Sequence, residues 1–356
     1  HGDSVVSASF DPSGDFVLTT GGDGRARLWR AGVDAELVPL AQVAIPVSAA
    51  GFSLDGSVAA AAGPSAVEIL STAAGERVAS VLEPAVSVLA VGGDGALLAE
   101  AQRGRTSVWR TGTQEPGTAV ETDAETTALA FSRDDRLIAL GGADGSIAVR
   151  SLDGGRVADL TGPGSRVTVV AFDPRHGRVA AGFDDGTLAA WTLSDSRRLY
   201  QLPEHRGPGP VTTVAFSPDG FRLVTAGGDS LARVREAATG RIQYELRGHS
   251  GTVRSAAFSP SGDWLVTAAT ATVGLWDAST RQRLLWLEGD AGRLLAASFD
   301  QTGREVLIVG SDGTLRSYAC EVCGGVGDLL ELADRRLAMT GRELTPEERR
   351  HYLDEG

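Results

Sequence analysis

A short phrase returns along this 356-residue chain at spacings of 39 to 43 residues. Each copy is an apolar run ending in Phe, then Ser or Asp, often Pro, and then a turn residue. Phe10-Asp11-Pro12-Ser13-Gly14, Phe52-Ser53-Leu54-Asp55-Gly56 and Phe258-Ser259-Pro260-Ser261-Gly262 are clear copies. Others start at Phe131, Phe172, Phe216 and Phe299, and a degenerate one has Val91 at the Phe position. The eight turn residues are Gly14, Gly56, Gly95, Asp135, Gly177, Gly220, Gly262 and Gly303. In the seventh unit four short runs succeed one another: Val253–Phe258, Trp264–Ala268, Thr272–Trp276 and Gln282–Leu287. A lone four-stranded sheet cannot cover both of its faces. Repeated sheets of this size cover each other by stacking around an axis, so the repeat predicts an all-β propeller over residues 1–319. The 46 glycines suit its many tight turns, and 42% hydrophobic residues are enough to fill a core.

Some units carry a more specific signature. Arg247-Gly248-His249 holds a Gly-His pair, Leu275-Trp276-Asp277 ends on Trp-Asp, and Leu28-Trp29 is followed by Arg30 where Asp is usual. On these residues the chain resembles WD-repeat (WD40) proteins, with the likeness covering about residues 1–319. The resemblance implies a hydrogen-bonded set of His, Ser or Thr, Asp and Trp within a blade. Unit 1 matches at His1, Thr19, Asp23 and Trp29, and unit 5 keeps Asp185 and Trp191. Unit 6 keeps Thr225 and Asp229 but has Arg235 in place of Trp, with His205 near the His place and displaced by the insertion 207–210. Unit 7 keeps His249, Thr267 and Trp276, with Thr270 at the Asp position, and units 2 and 3 are degraded.

The eighth unit ends near Tyr318 with no fourth run, yet His1 stands nine residues before Phe10, as His249 stands before Phe258. A strand upstream of His1 would complete an eight-bladed ring and hide an open edge. The alternative is seven blades, units 2–8, with the run Leu37–Ala44 completing the last.

Residues 320–356 change character. Leu329, Leu330, Leu332, Ala333 and Leu337 have helical spacing, and Thr345-Pro346-Glu347-Glu348 reads as a helix start. A short helical hairpin is expected. Cys320-Glu321-Val322-Cys323 followed by Glu343-Leu344-Thr345-Pro346-Glu347-Glu348-Arg349-Arg350 resembles the ending of large actinobacterial proteins that join a STAND-type NTPase to a WD-repeat tail. The resemblance implies a cytoplasmic sensor or partner-holding module of a signalling NTPase. The absence of Lys and Asn fits a high-GC bacterial genome.

The net charge of −13 argues against nucleic acid and against anionic membrane surfaces. No apolar run is long enough for a membrane helix. Without Lys there is no phosphate-binding Gly-Lys loop, and no Gly-x-Ser-x-Gly elbow occurs. Gly21–Gly24 and Gly142–Gly145 read as type I′ turns rather than cation loops. Cys320 and Cys323 form one pair where a zinc site needs four ligands, so reduced structural thiols come first, a shared zinc site second and a redox switch third. No cofactor is implied.

Three functions remain open. A protein–protein recognition module would use the positions four residues before each anchor: Val6, Ser48, Ser87, Thr127, Thr168, Thr212, Arg254 and Leu295. A structural lid would hold an adjoining NTPase inactive. A propeller hydrolase would converge His, Asp or Glu on the axis, and those eight positions hold none. The sequence therefore favours a binding module without catalysis, whose partners are proteins or upstream domains of its own parent.

Overall fold

The computed structural model describes residues 5–10, 16–21, 23, 25–30, 39–43, 49–52, 58–62, 66–71, 76–81, 86–92, 97–102, 105–110, 116–122, 124–153, 155–205, 209–288, 294–299, 305–310 and 315–319. These residues lie in eight antiparallel sheets, seven of four strands and one of three. In chain order the sheets span 5–43, 49–81, 88–121, 126–161, 167–203, 211–246, 253–288 and 294–319, and are numbered 1 to 8 here. Each strand pairs with the next in sequence, so every sheet is a simple meander. The first strand of each sheet lies beside the first strand of the next, and Val5–Phe10 lies beside Leu294–Phe299. The first strands therefore ring a common axis, which is the propeller arrangement.

The seventh unit shows how closely the local pattern sets the strands. Its four are Val253–Phe258, Trp264–Ala269, Thr272–Asp277 and Arg283–Glu288, each within a residue of the run expected from alternation and turn chemistry. Burial follows position in the sheet. The second strands Phe16–Gly21 and Arg178–Phe183 are buried at every residue, because neighbouring sheets cover both faces. The outer strand Arg156–Thr161 alternates exposed and buried instead.

Among the described residues seven apolar clusters form, and each bridges two consecutive sheets. Between sheets 4 and 5, Ile147, Val149 and Leu160 meet Val167, Val179, Phe183 and Trp191. Between sheets 6 and 7, Val224, Val234 and Leu246 meet Val253, Leu265 and Trp276. Alanine lets the backbones approach: Ala59, Ala60, Ala61 and Ala62 all have no exposed surface.

Hydrogen bonds join the sheets at both ends of the inner strands. Six first strands carry a register shift at their second residue, the extra residue of a β-bulge. In sheets 4, 5 and 6 that residue is Thr127, Thr168 or Thr212. Their hydroxyls donate to the carbonyls of Val167 (2.6 Å), Val211 (2.7 Å) and Val253 (2.5 Å), each on the next sheet. At the other end, Arg178 donates to the Gly220 carbonyl at 2.7 Å and Arg222 to the Gly262 carbonyl at 2.7 Å, again one sheet on. Arg178 is also paired with the buried carboxylate of Asp173 at 2.7 Å.

One turn expectation changes. Type I′ geometry needs two residues with positive φ. In 142–145 the amide of Gly145 closes on the Gly142 carbonyl at 3.2 Å, and Gly145 (φ 85°) is the residue of that turn with positive φ. Asp144 keeps negative φ because its carboxylate supports the turn, accepting the amide and hydroxyl of Ser146 at 2.9 and 2.6 Å. The expected C-terminal hairpin and the Cys320–Cys323 pair lie outside the described residues.

Candidate functional site

The polar sets expected within the blades are built on one register. The third-strand residue opposite the second residue of strand two is Trp29 in sheet 1, Trp109 in sheet 3, Arg150 in sheet 4, Trp191 in sheet 5, Arg235 in sheet 6 and Trp276 in sheet 7. Two positions along strand two stand Thr19, Glu100, Leu140, Ala181, Thr225 and Thr267 in the same sheets.

In sheet 7 the Trp276 indole N–H donates to the Thr267 hydroxyl at 2.8 Å, and His249 Nε2 shares a 2.7 Å hydrogen bond with that hydroxyl. His249 Nδ1 bonds the Thr272 hydroxyl at 2.8 Å, so Thr272, and not Thr270, takes the place of the Asp. Thr272 opens the third strand, within hydrogen-bond reach of the ring. Burial, reinforced by the positive charge of Arg283, pushes the His249 pKa down to about 4. Trp286 closes the cluster, its ring centroid 4.7 Å from that of His249.

Sheet 1 places Trp29 Nε1 2.7 Å from Thr19 Oγ1, and Arg27 donates to Asp23 at 2.9 Å. His1 lies outside the described residues. Sheet 5 buries Trp191 at 2% exposure but has Ala181 at the Thr position, while Asp185 sits on an exposed turn and accepts the Thr187 amide at 2.8 Å. Sheet 3 uses a carboxylate instead of a hydroxyl: Trp109 Nε1 donates to Glu100 at 3.4 Å.

Sheet 6 rebuilds the set from charges. Thr225 donates to Glu204 at 2.5 Å, and Glu204 pairs with Arg235 at the Trp position. His205 Nδ1 meets Asp229 at 2.6 Å, and Arg233 donates to Asp229 at 2.8 Å and to Glu245 at 3.0 Å. Glu204, His205, Arg233 and Arg235 are all buried. Burial lowers the His205 pKa although the Asp229 carboxylate opposes it. Burial alone would raise Asp229, yet the bonds from His205 and Arg233 hold it below the usual carboxylate value. The motif reading names Thr225 and Asp229 but misses Glu204 and Arg233. The signal for Glu204 was an acid directly before His205, and for Arg233 the four-residue spacing from Asp229 that Arg27 has from Asp23.

The candidate partner-facing positions fare differently from one another. Thr127, Thr168 and Thr212 sit at the bulges, and their hydroxyls are engaged in the bonds to the next sheet. Ser87 is exposed and its hydroxyl donates to the Ala101 carbonyl at 3.0 Å. Arg254 occupies the same bulge position in sheet 7, is exposed, and its guanidinium meets no acceptor among the described residues. Ser48 and the side chains of Val6 and Leu295 lie outside the described residues. Among the described residues, no group of three or more His, Cys, Asp and Glu could hold a metal ion, and no helix is long and apolar enough to cross a membrane.

The WD domain, G-beta repeat profile matches residues 1–30, 154–192, 196–235 and 240–277. These four segments include, to within a residue, the first three strands of sheets 1, 5, 6 and 7, where the Trp or charged sets are best developed. Human angio-associated migratory cell protein is 25% identical over 353 residues, covering 97% of this chain and 70% of that protein. Human WD repeat-containing protein 90 is 29% identical over 190 residues, 53% of this chain but only 10% of its own length. Pre-mRNA-processing factor 19 homolog 2 of Arabidopsis thaliana is 28% identical over 52% of this chain and 36% of that protein. The C-terminal WD40 domain of Sif2 superposes with a TM-score of 0.75 at 15% identity, covering 89% of this chain and 96% of that one. The computationally designed Ika8 protein does so at 0.73 and 22% identity, over 90% and 97%. The chain therefore carries WD40 repeats on a WD40 propeller fold.

Proposed function

We propose, from WD40 repeats on a propeller, that this chain is a protein-recognition module whose partner docks on the inner-strand face around Arg254. The observation that carries the reading is the contrast within one structural position. At the bulge of the first strand, three sheets present Thr hydroxyls already bonded to the next sheet, while sheet 7 presents an exposed, unmatched guanidinium. An exposed Arg on a rigid, otherwise neutral rim is suited to a carboxylate of a partner, because its fork binds both oxygens. The relatives are named as WD repeat and pre-mRNA-processing proteins, which supports a binding role over a catalytic one.

In this reading the eight sheets close one ring, and sheet 8, which has three strands among the described residues, takes its fourth from a further segment. The motif within 320–350 supports placing the module in a larger regulatory NTPase, either as its sensor or as the lid that holds it inactive. The deciding experiment is affinity capture from the source extract with wild-type protein and with Arg254→Glu. The variant is expected to lose the captured partner by tenfold or more, the scale of one charged hydrogen bond (~1.5–3 kcal/mol). An unchanged set of partners at unchanged occupancy would show that a different face binds.

A further inference from the structure

Sheet 4 keeps the turn carboxylate of the repeat but lacks the arginine that covers it in sheets 1 and 6. On its face toward sheet 3 lies a cavity of about 240 Å³. Leu140 and Ala148 give it apolar surface, and Thr122, Asp144 and Arg150 are among its polar groups.

The other sheets show what normally fills this space. The position of Ala148 in sheet 4 corresponds by register to Arg27 in sheet 1 and Arg233 in sheet 6. Each of those arginines reaches back four residues to its turn carboxylate, Asp23 at 2.9 Å and Asp229 at 2.8 Å. Ala148 cannot reach Asp144. In sheet 7 the corresponding residue is Gly274, and the Trp276 indole lies over it, 2.7 Å from where a Cβ would stand. Sheet 4 has Arg150 at the Trp position, and that side chain is drawn away to Asp159 at 2.5 Å and to the Ala158 carbonyl at 3.1 Å.

The second strand repeats the pattern. It ends in Gly227 in sheet 6, where the His205 ring occupies the space a side chain would take. Sheet 5 ends its second strand on Phe183, which fills the space itself and is fully buried. Sheet 4 ends on Gly142, and the place of the His is held by Thr122, whose hydroxyl is turned onto the Ala124 carbonyl at 2.8 Å. The Arg at the Ala148 position, the His and the Trp of other sheets are all missing from this seam, and the cavity lies where they would stand.

Asp144 remains at its rim. Its Oδ1 accepts from Ser146, and its Oδ2 accepts from no described residue. The hydrogen bonds from Ser146 outweigh burial and hold its pKa below the usual carboxylate range, so it is ionised at neutral pH. Asp159 is already shared by Arg150 and Arg156.

We infer that this cavity is a receptor site for an arginine side chain of a partner protein, which would reproduce in trans the Asp–Arg pair that sheets 1 and 6 make in cis. The methylene stem would lie on Leu140 and Ala148, and the guanidinium would meet Asp144 Oδ2. An acidic chain, with net charge −13, also attracts a basic partner at long range. The inference builds on the recognition reading but concerns a different site, so the two fail separately: Arg254→Glu tests the rim, and the experiment here leaves Arg254 untouched.

The probe is N-acetyl-arginine-N-methylamide, titrated against the full chain by NMR. Saturable shifts are expected at the amides of Ser146 and Ala148, with the lysine analogue binding more weakly. Asp144→Asn, on an exposed turn, should weaken the arginine probe about tenfold. Ala148→Arg should place a guanidinium in cis, abolish probe binding and raise Tm. If Ala148→Arg does not fold, Asp144→Asn decides alone. Absence of saturation, or binding that neither variant alters, overturns the assignment.

Discussion

Glu204 and Arg235 are a carboxylate and a guanidinium with almost no exposure, the first bonded to Thr225 and the second set at the Trp position, as His249 and Trp276 are in sheet 7. Removing one member of such a buried pair strands the other, which costs about 3–5 kcal/mol, whereas replacing both with well-packed groups is often neutral or stabilising. Glu204→Ala is therefore expected to lower the urea midpoint severely. The double variant Glu204→His with Arg235→Trp should recover most of that loss. If the single variant costs under about 1 kcal/mol, the pair does not hold sheet 6 as described. His249 makes a pH-dependent contribution of opposite logic. Its folded pKa of about 4 lies below the ordinary value of about 6.5, so the unfolded chain takes up a proton first as pH falls. Stability is full above about pH 6.5 and declines down to about pH 4, by at most about 1.4 kcal/mol per pH unit. His249→Gln should flatten this part of a Tm-against-pH profile; an unchanged slope would mean that other groups produce it.

At the level of strands, the bulge residue matters more than its exposure suggests. Thr127, Thr168 and Thr212 each tie one sheet to the next through a carbonyl at the start of the following inner strand. Thr212→Val keeps the shape but leaves the Val253 carbonyl without that hydroxyl donor. The expected cost is about 1 kcal/mol, with faster amide exchange in 253–258 than in the remote strand 137–142. Equal exchange in both would show that the tie is idle. These ties were not legible in the sequence. A Thr one residue into an inner strand looks like any β-branched residue, and its acceptor is a backbone oxygen 40 or more residues away that has no side-chain signature. The strands themselves were legible because alternation and turn chemistry act over a few residues. That is why Val253–Phe258 falls where it was expected.

Across the whole molecule, the repeat spacing made the propeller readable, and Trp-based sets followed wherever the motif survived intact, as at Thr267 and Trp276. The charged set of sheet 6 was half hidden, because its parts come from the end of one unit and the body of the next. The empty place in sheet 4 could not be read at all, since a void is a relation among Leu140, Gly142 and Ala148 and not a residue type. The seams between sheets thus differ in chemistry: aromatic against sheet 7, ionic against sheet 6, largely aliphatic against sheet 5. Near-identical modules in a row invite mispairing and exchange between molecules during folding. Here consecutive units present different chemistries to one another, so divergence among the copies acts as a lock-and-key code for their order, and an exchange between sheets 6 and 7 would bury a charge against an indole.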